Sequence, residues 1–217
     1  LIVAIMTIEK KTRSRLSPNA RKSMILDHAA RLISAEGVSA VNMERLGKEA
    51  GVSKALVYNY YPNVTLVLQE LLTREYRHLR KLQFEAAESG KTLEQLVRRV
   101  THVYLVYIKE HGPLIDRLAA EPSVANNGDP TEYSRDSAVE YIARIFSENF
   151  QIDMSIALPV VDISYGLPAA AGHYITSHDI SLQEIEDITV IMILASLEAV
   201  VSKHKTSLKL LHRPESS

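Results

Sequence analysis

The chain has 217 residues, 46% hydrophobic and 24% charged, enough to bury one core, alone or with a small appended domain, and too apolar to be disordered. It has no Cys, which excludes disulfides, thiolate nucleophiles and Cys-ligated zinc, and suits a reducing cytoplasm. The net charge of −1 hides an asymmetry: up to Tyr60, ten Lys and Arg face five acids, a net of +5, and the remainder carries −6, so only one end suits phosphate.

The first stretch, Leu1 to Met6, is an apolar run with no basic segment before it, too short for a signal-peptide core or a membrane span. Lys10, Lys11, Arg13 and Arg15 make residues 1–17 a flexible basic arm suited to a minor groove, or simply to solvation. Eight Gly and eight Pro favour long uninterrupted elements, and the apolar periodicity is helical throughout, so the expected fold is all-α. Ser17 caps a helix that opens on Pro18, carries Ile25, Ala29, Leu32 and Ile33 inward, and stops at Gly37. Asn42 caps a short helix to about Ala50, Ser53 caps another that ends before Pro62, and Asn63 caps a longer one to about Glu88.

Thr92 to Gln95 reads as a capping box, with Gln95 reaching back to the Thr92 N–H, and opens a helix that Gly112-Pro113 should end. A short helix to about Ala120 follows, then a long loop to Asp129. Asp129 to Glu132 should open the next helix, through Phe150. Met154 to Thr176 is apolar but carries Pro159 and Pro168, which predicts a kink or a late start. Ser181 to Glu184 is a second capping box for a last helix to about Lys203, with a frayed tail beyond. The longest apolar run elsewhere, Ile188 to Leu197, is too short to cross a bilayer, so no membrane partner is expected.

The chemistry concentrates in Asn42 to Tyr61. A helix-turn-helix needs a small residue where its helices touch, a Gly able to take positive φ at the turn, and an apolar residue facing back from the second helix. Gly47, Gly51 and Val57 stand at those offsets, and Leu46, Ala50 and Val52 close the small core. The second helix then offers its other face to a major groove. The candidate DNA-binding residues are Asn42, Ser53, Lys54, Ala55, Tyr58, Asn59 and Tyr60. Lys54 and Tyr58 suit phosphate, and Ala55 and Asn59 suit a thymine methyl or an adenine edge. Tyr60 suits either the DNA backbone or the protein core.

These residues, with Arg21 to Gly37 upstream and Tyr58-Asn59-Tyr60-Tyr61-Pro62 at the end, resemble the TetR family of bacterial regulators over roughly Pro18 to Leu72, about a quarter of the chain. The chain differs at Leu56, where that family often has Thr or Ser, and at Val64, where it often has Lys. The resemblance implies a helix-turn-helix DNA-binding domain over 18–78 and a C-terminal regulatory domain over 79–217. It also implies a homodimer through the last two long helices and a pseudo-palindromic double-stranded DNA operator. The implied regulator is cytoplasmic and bacterial, associated with the nucleoid when bound, and is a repressor released by a small-molecule effector.

For the effector pocket the candidates are Tyr104, Tyr107 and His111 on one helix, Tyr141 and Ile145 on another, and Tyr165 before Pro168. Apolar walls with a few hydroxyls suit a hydrophobic or aromatic ligand, although an aromatic stripe at helical spacing also serves as plain core. His173, His178 and Asp179 lack metal-ligand spacing, so no metal and no cofactor is expected. No phosphate loop, nucleophile elbow or paired carboxylates nominate an enzyme, and Asp162 and Glu198 suit interface hydrogen bonds or solvent. The remaining alternative is a helical interaction protein that kept the fold and lost operator binding.

Overall fold

The computed structural model describes residues 17–125 and 135–211. Every regular element among them is a helix: α1 (Pro18–Glu36), a 3-10 turn (Val38–Ala40), α2 (Met43–Glu49), α3 (Lys54–Tyr60), α4 (Val64–Glu88), α5 (Leu93–Ala119), α6 (Pro122–Ala125), α7 (Arg135–Phe150), α8 (Met154–Ser164), α9 (Gly166–Ser177) and α10 (Leu182–Leu211). The basic arm anticipated over 1–17 lies outside the described residues apart from Ser17, whose hydroxyl accepts from Ala20 N at 3.2 Å.

Capping side chains set most of the helix starts. Asn42 Oδ1 accepts from Arg45 N at 2.9 Å, Ser53 Oγ from Leu56 N at 3.2 Å, and Asn63 Oδ1 from Leu66 N at 3.0 Å. Each satisfies one donor that the helix cannot pair internally. At Ser181 the box closes in both directions: Ser181 N donates to Glu184 Oε2 at 3.2 Å and Glu184 N to Ser181 Oγ at 3.1 Å. At Thr92 the outcome differs from the expectation. Thr92 Oγ1 accepts from Gln95 N, but Gln95 Oε1 takes the N–H of Lys91, one residue earlier than expected, at 3.1 Å.

Three other expectations are corrected. Gly112-Pro113 does not end a helix; α5 runs through both to Ala119. Pro113 withholds one N–H from the ladder, but Leu114, Ile115 and Leu118 beyond it are buried in the core, and that packing carries the helix on. The stretch after Ala120 is not all loop, since α6 interrupts it. The last helix continues past Lys203 to Leu211. The start anticipated for α7 at Asp129 to Glu132 lies outside the described residues. Residues Met154–Ser177 are long and apolar enough to cross a membrane by length and composition. They form two helices, with Tyr165 as the last cap of α8 and the first of α9.

Two large cores share α4 and α5. The first joins Ile25, Ile33, Leu46 and Val57 of α1 to α3 with Val67, Leu71 and Leu79 of α4 and Leu114, Ile115 and Leu118 of α5. The second joins Ala87, Leu96 and Val97 to Phe146, Val161, Ile193 and Leu197. The boundary expected at residue 78 therefore falls inside an unbroken helix, with one end of α4 in each core. α8, α9 and α10 each leave large apolar side chains exposed: Ile163 is 77% exposed, Ile191 63% and Met192 51%, and Tyr174 and Ile188 are exposed as well.

Candidate nucleic-acid interface and internal cavity

α2 and α3 meet at a turn that only particular residues permit. Gly51 has φ +63°, a conformation costly to a side chain. A Cβ on Gly47 would lie 3.0 Å from Val52 O and 3.2 Å from Lys54 N, so the two helices approach backbone to backbone. Val57 is fully buried against Leu46 in the first core, which fixes the rotation of α3. The opposite face of α3 then presents Lys54, Ala55, Tyr58 and Asn59 to solvent, with Tyr58 45% exposed.

The other candidates are placed differently. The side-chain oxygens of Asn42 and Ser53 cap α2 and α3, so their immediate role is to set those helices. Tyr60 is half-buried and packs on the first core, and Tyr61 beyond it is buried beneath the Lys22 ammonium, 5.5 Å from its ring centre. Lys54 Nζ lies 3.5 Å from Glu44 Oε2, an exposed and weak pair. Val64 packs on the first core, which accounts for an apolar residue at that position. Arg45 and Glu36 form an ion pair that the sequence reading did not single out; it ties α2 to the end of α1.

Of the six pocket candidates, Tyr104 and Tyr165 line one cavity of about 220 Å³, together with Leu93, Leu96, Val97 and Ile193. Tyr141 and Tyr165 line an adjoining cavity of about 130 Å³. Ile145 packs on the second core. Tyr107 and His111 belong elsewhere: their rings stack at 4.3 Å, the Tyr107 hydroxyl donates to Glu75 Oε2 at 2.8 Å, and His111 Nδ1 lies 3.2 Å from the same oxygen. Burial pushes the Tyr104 hydroxyl up to about 12, so it stays a donor at neutral pH.

Arg80, Gln83 and Arg135 also line the larger cavity, and the sequence reading missed all three. A signal existed for Gln83: Leu71, Glu75, Leu79, Gln83 and Ala87 recur every four residues along α4, so two polar residues interrupt a buried stripe. His173, His178 and Asp179 form no candidate metal cluster among the described residues. Asp162 pairs with Arg135 at 2.5 Å, and Glu198 is exposed.

This geometry defines a helix-turn-helix module joined through a shared helix to a larger all-α body. Residues 25–70 match the family described as bacterial regulatory proteins, tetR family. A TetR-like transcriptional regulator from Rhodococcus sp. RHA1 superposes with TM-score 0.64 at 19% identity, covering 85% of this chain and 99% of that one. A TetR-family regulator from Mesorhizobium loti gives TM-score 0.70 at 14% identity over 85% of this chain and 98% of that one. An uncharacterized HTH-type transcriptional regulator of Bacillus subtilis, YhgD, is 26% identical over 91 residues, 42% of this chain, and the match spans only 48% of that protein's length. The N-terminal segment thus matches the TetR family's N-terminal model, and the chain shares its fold with TetR-like regulators.

Proposed function

We propose that this chain is a DNA-binding transcriptional regulator, and not an enzyme, that docks α3 in a major groove and is released from its operator by a small molecule held in the body. The observation that carries this reading is the solvent-facing row Lys54, Ala55, Tyr58 and Asn59 on a helix locked by the Gly47–Gly51 turn. The basic N-terminal quarter favours it over an interaction protein that has lost DNA binding.

The exposed apolar face of α8 to α10 is the surface on which a second copy docks, in keeping with the expected homodimer. A twofold dimer sets two recognition helices about 34–36 Å apart and reads a pseudo-palindrome. The regulator acts in the cytoplasm as a repressor, and a hydrophobic or aromatic effector occupies the cavity that Tyr104 and Tyr165 line. α4 carries the response. Its N-terminal half packs on α1 in the core that also holds α2 and α3, and its C-terminal half lines the cavity, so a ligand that prefers a different placement of α4 re-aims the recognition helix through α1 and α2.

Selection of bound DNA from a random library, with a Lys54→Ala/Tyr58→Ala variant as control, tests the reading. It yields a palindromic motif that the variant loses. Equal recovery of random DNA by both proteins rejects operator recognition by α3.

A further inference from the structure

α1 ends without a cation of its own. Its last turn, Ile33 to Glu36, holds no Lys or Arg and closes on an acid, where the helix dipole is already negative. Two guanidiniums from other elements answer this. Arg117 of α5 reaches across with Nη1, which donates to Ile33 O at 2.5 Å and to Ser34 O at 2.8 Å. Both are carbonyls of the last turn, which a helix cannot fully pair within itself. Ile33 O also accepts from Gly37 N at 2.9 Å, so the clasp lies where α1 stops. Arg45 of α2 takes the remaining acid, its Nη1 donating to Glu36 Oε2 at 2.8 Å. The end of α1 is thus held from the body by Arg117 and from the helix-turn-helix by Arg45. Leu114, Ile115 and Leu118 of α5 share a core with Ile33, but apolar packing is non-directional and leaves the angle between the helices to the polar contacts.

We infer that Arg117 is a positioning residue for operator recognition: its grip on the α1 carbonyls sets the angle of the helix-turn-helix on the body, and with it the half-site spacing that a dimer accepts. This rests on the reading of the chain as a dimeric DNA-binding regulator and adds a residue that selects spacing without touching DNA. A full operator gains its affinity from simultaneous engagement of two half-sites, and that gain is lost when the geometry of the heads drifts. A single half-site needs one head only. Lys54, Ala55, Tyr58 and Asn59 present the same face to it whatever the angle of that head on the body. Arg117 therefore bears on the full site and not on the half-site.

The operator is first selected from a random DNA library with the unmodified full-length protein. Anisotropy titrations then compare that full site with a single half-site for the parent, Arg117→Met and Arg117→Lys, and the selection is repeated with each variant. Met keeps an unbranched stem and removes the donors. Arg117→Met loses at least about tenfold in affinity for the full site and selects the same half-site sequence at a wider spread of spacings. Its half-site affinity and half-site salt slope stay at the parent's values. Arg117→Lys, which keeps the charge, recovers part of the loss, and it carries the comparison if Arg117→Met does not fold. Unchanged full-site affinity and spacing overturn the inference and leave DNA recognition by α3 standing. So does an equal loss on both sites, which marks damage to the fold, or a lower half-site salt slope, which marks a phosphate contact. A parent that enriches no motif overturns the operator reading and the inference with it.

Discussion

The Tyr107 hydroxyl donates a 2.8 Å hydrogen bond to Glu75 Oε2, which joins the middle of α5 to the middle of α4 inside the first core. Glu75 is only 5% exposed. Its carboxylate is further held by Arg74 at 3.2 Å and His111 at 3.2 Å, and Arg74 reaches on to Asp27 of α1 at 2.6 Å. Burial and the Glu75 carboxylate push the Tyr107 hydroxyl upward, so it remains a protonated donor across the neutral range. Tyr107→Phe leaves a buried charge one donor short and lowers stability by about 1–3 kcal/mol. Urea unfolding measures this directly. A variant as stable as the parent would show that the bond contributes nothing net.

The α2–α3 turn predicts a local defect with a functional readout. Gly47→Ala sets a Cβ 3.0 Å from Val52 O, and neither backbone can yield without shifting α3. Gly51→Ala has open space around it, so it costs only the left-handed backbone, about 1–2 kcal/mol. Gly47→Ala therefore loses operator affinity beyond its loss of stability, and Gly51→Ala loses mainly stability. Binding assays well below each variant's melting temperature separate the two. Equal affinity loss in both would argue that the close approach at Gly47 does not aim α3.

How legible this was in the sequence depended on distance along the chain. Caps and boxes are local, and Ser17, Asn42, Ser53, Asn63 and Ser181 stand where the residue types indicate. Pro113 misled because a local breaker was overridden by core packing of Leu114, Ile115 and Leu118. Arg80 was invisible because its partner Tyr165 lies 85 residues away. Tyr107 and His111 share a face with Tyr104, and periodicity alone does not say which aromatic residues line a cavity and which clasp a buried carboxylate.

The exposed face of α10 predicts an oligomeric change. Ile191 and Met192 are more than half exposed on a single chain, and a partner copy would bury them. Ile191→Glu with Met192→Glu introduces unpaired charge there and should convert a dimer to a monomer with little effect on helix content. Light scattering at micromolar concentration reads the mass. Unchanged mass would move the dimer surface away from α10.

Acid should weaken the start of α10. The Ser181 hydroxyl and N–H hold the Glu184 carboxyl below its ordinary value, and the Gln183 amide followed by Arg98 does the same for Asp187. A carboxylate with a depressed folded-state pKa stabilises the fold above the ordinary carboxylate range, and that contribution is lost as pH falls through the depressed value. Thermal melts from about pH 7 to about pH 3 should therefore fall less steeply for a Glu184→Gln/Asp187→Asn variant than for the parent. Parallel curves would mean that neither carboxylate couples to folding.

Lys54 offers the sharpest test of the groove reading, because its only close acidic neighbour among the described contacts is the exposed Glu44 carboxylate at 3.5 Å. That pair contributes little to stability, so Lys54→Ala should leave the melting temperature nearly unchanged. If the ammonium meets phosphate, the same change weakens DNA binding across sequences and lowers the salt slope by about one unit. Glu44→Gln removes the competing carboxylate and should move affinity the other way at low salt, with the difference fading as salt rises. Affinity measured against salt for the parent and both variants decides the point. A Lys54→Ala protein with the parent's slope and affinity would take Lys54 out of the interface and leave α3 to be read through Tyr58 and Asn59.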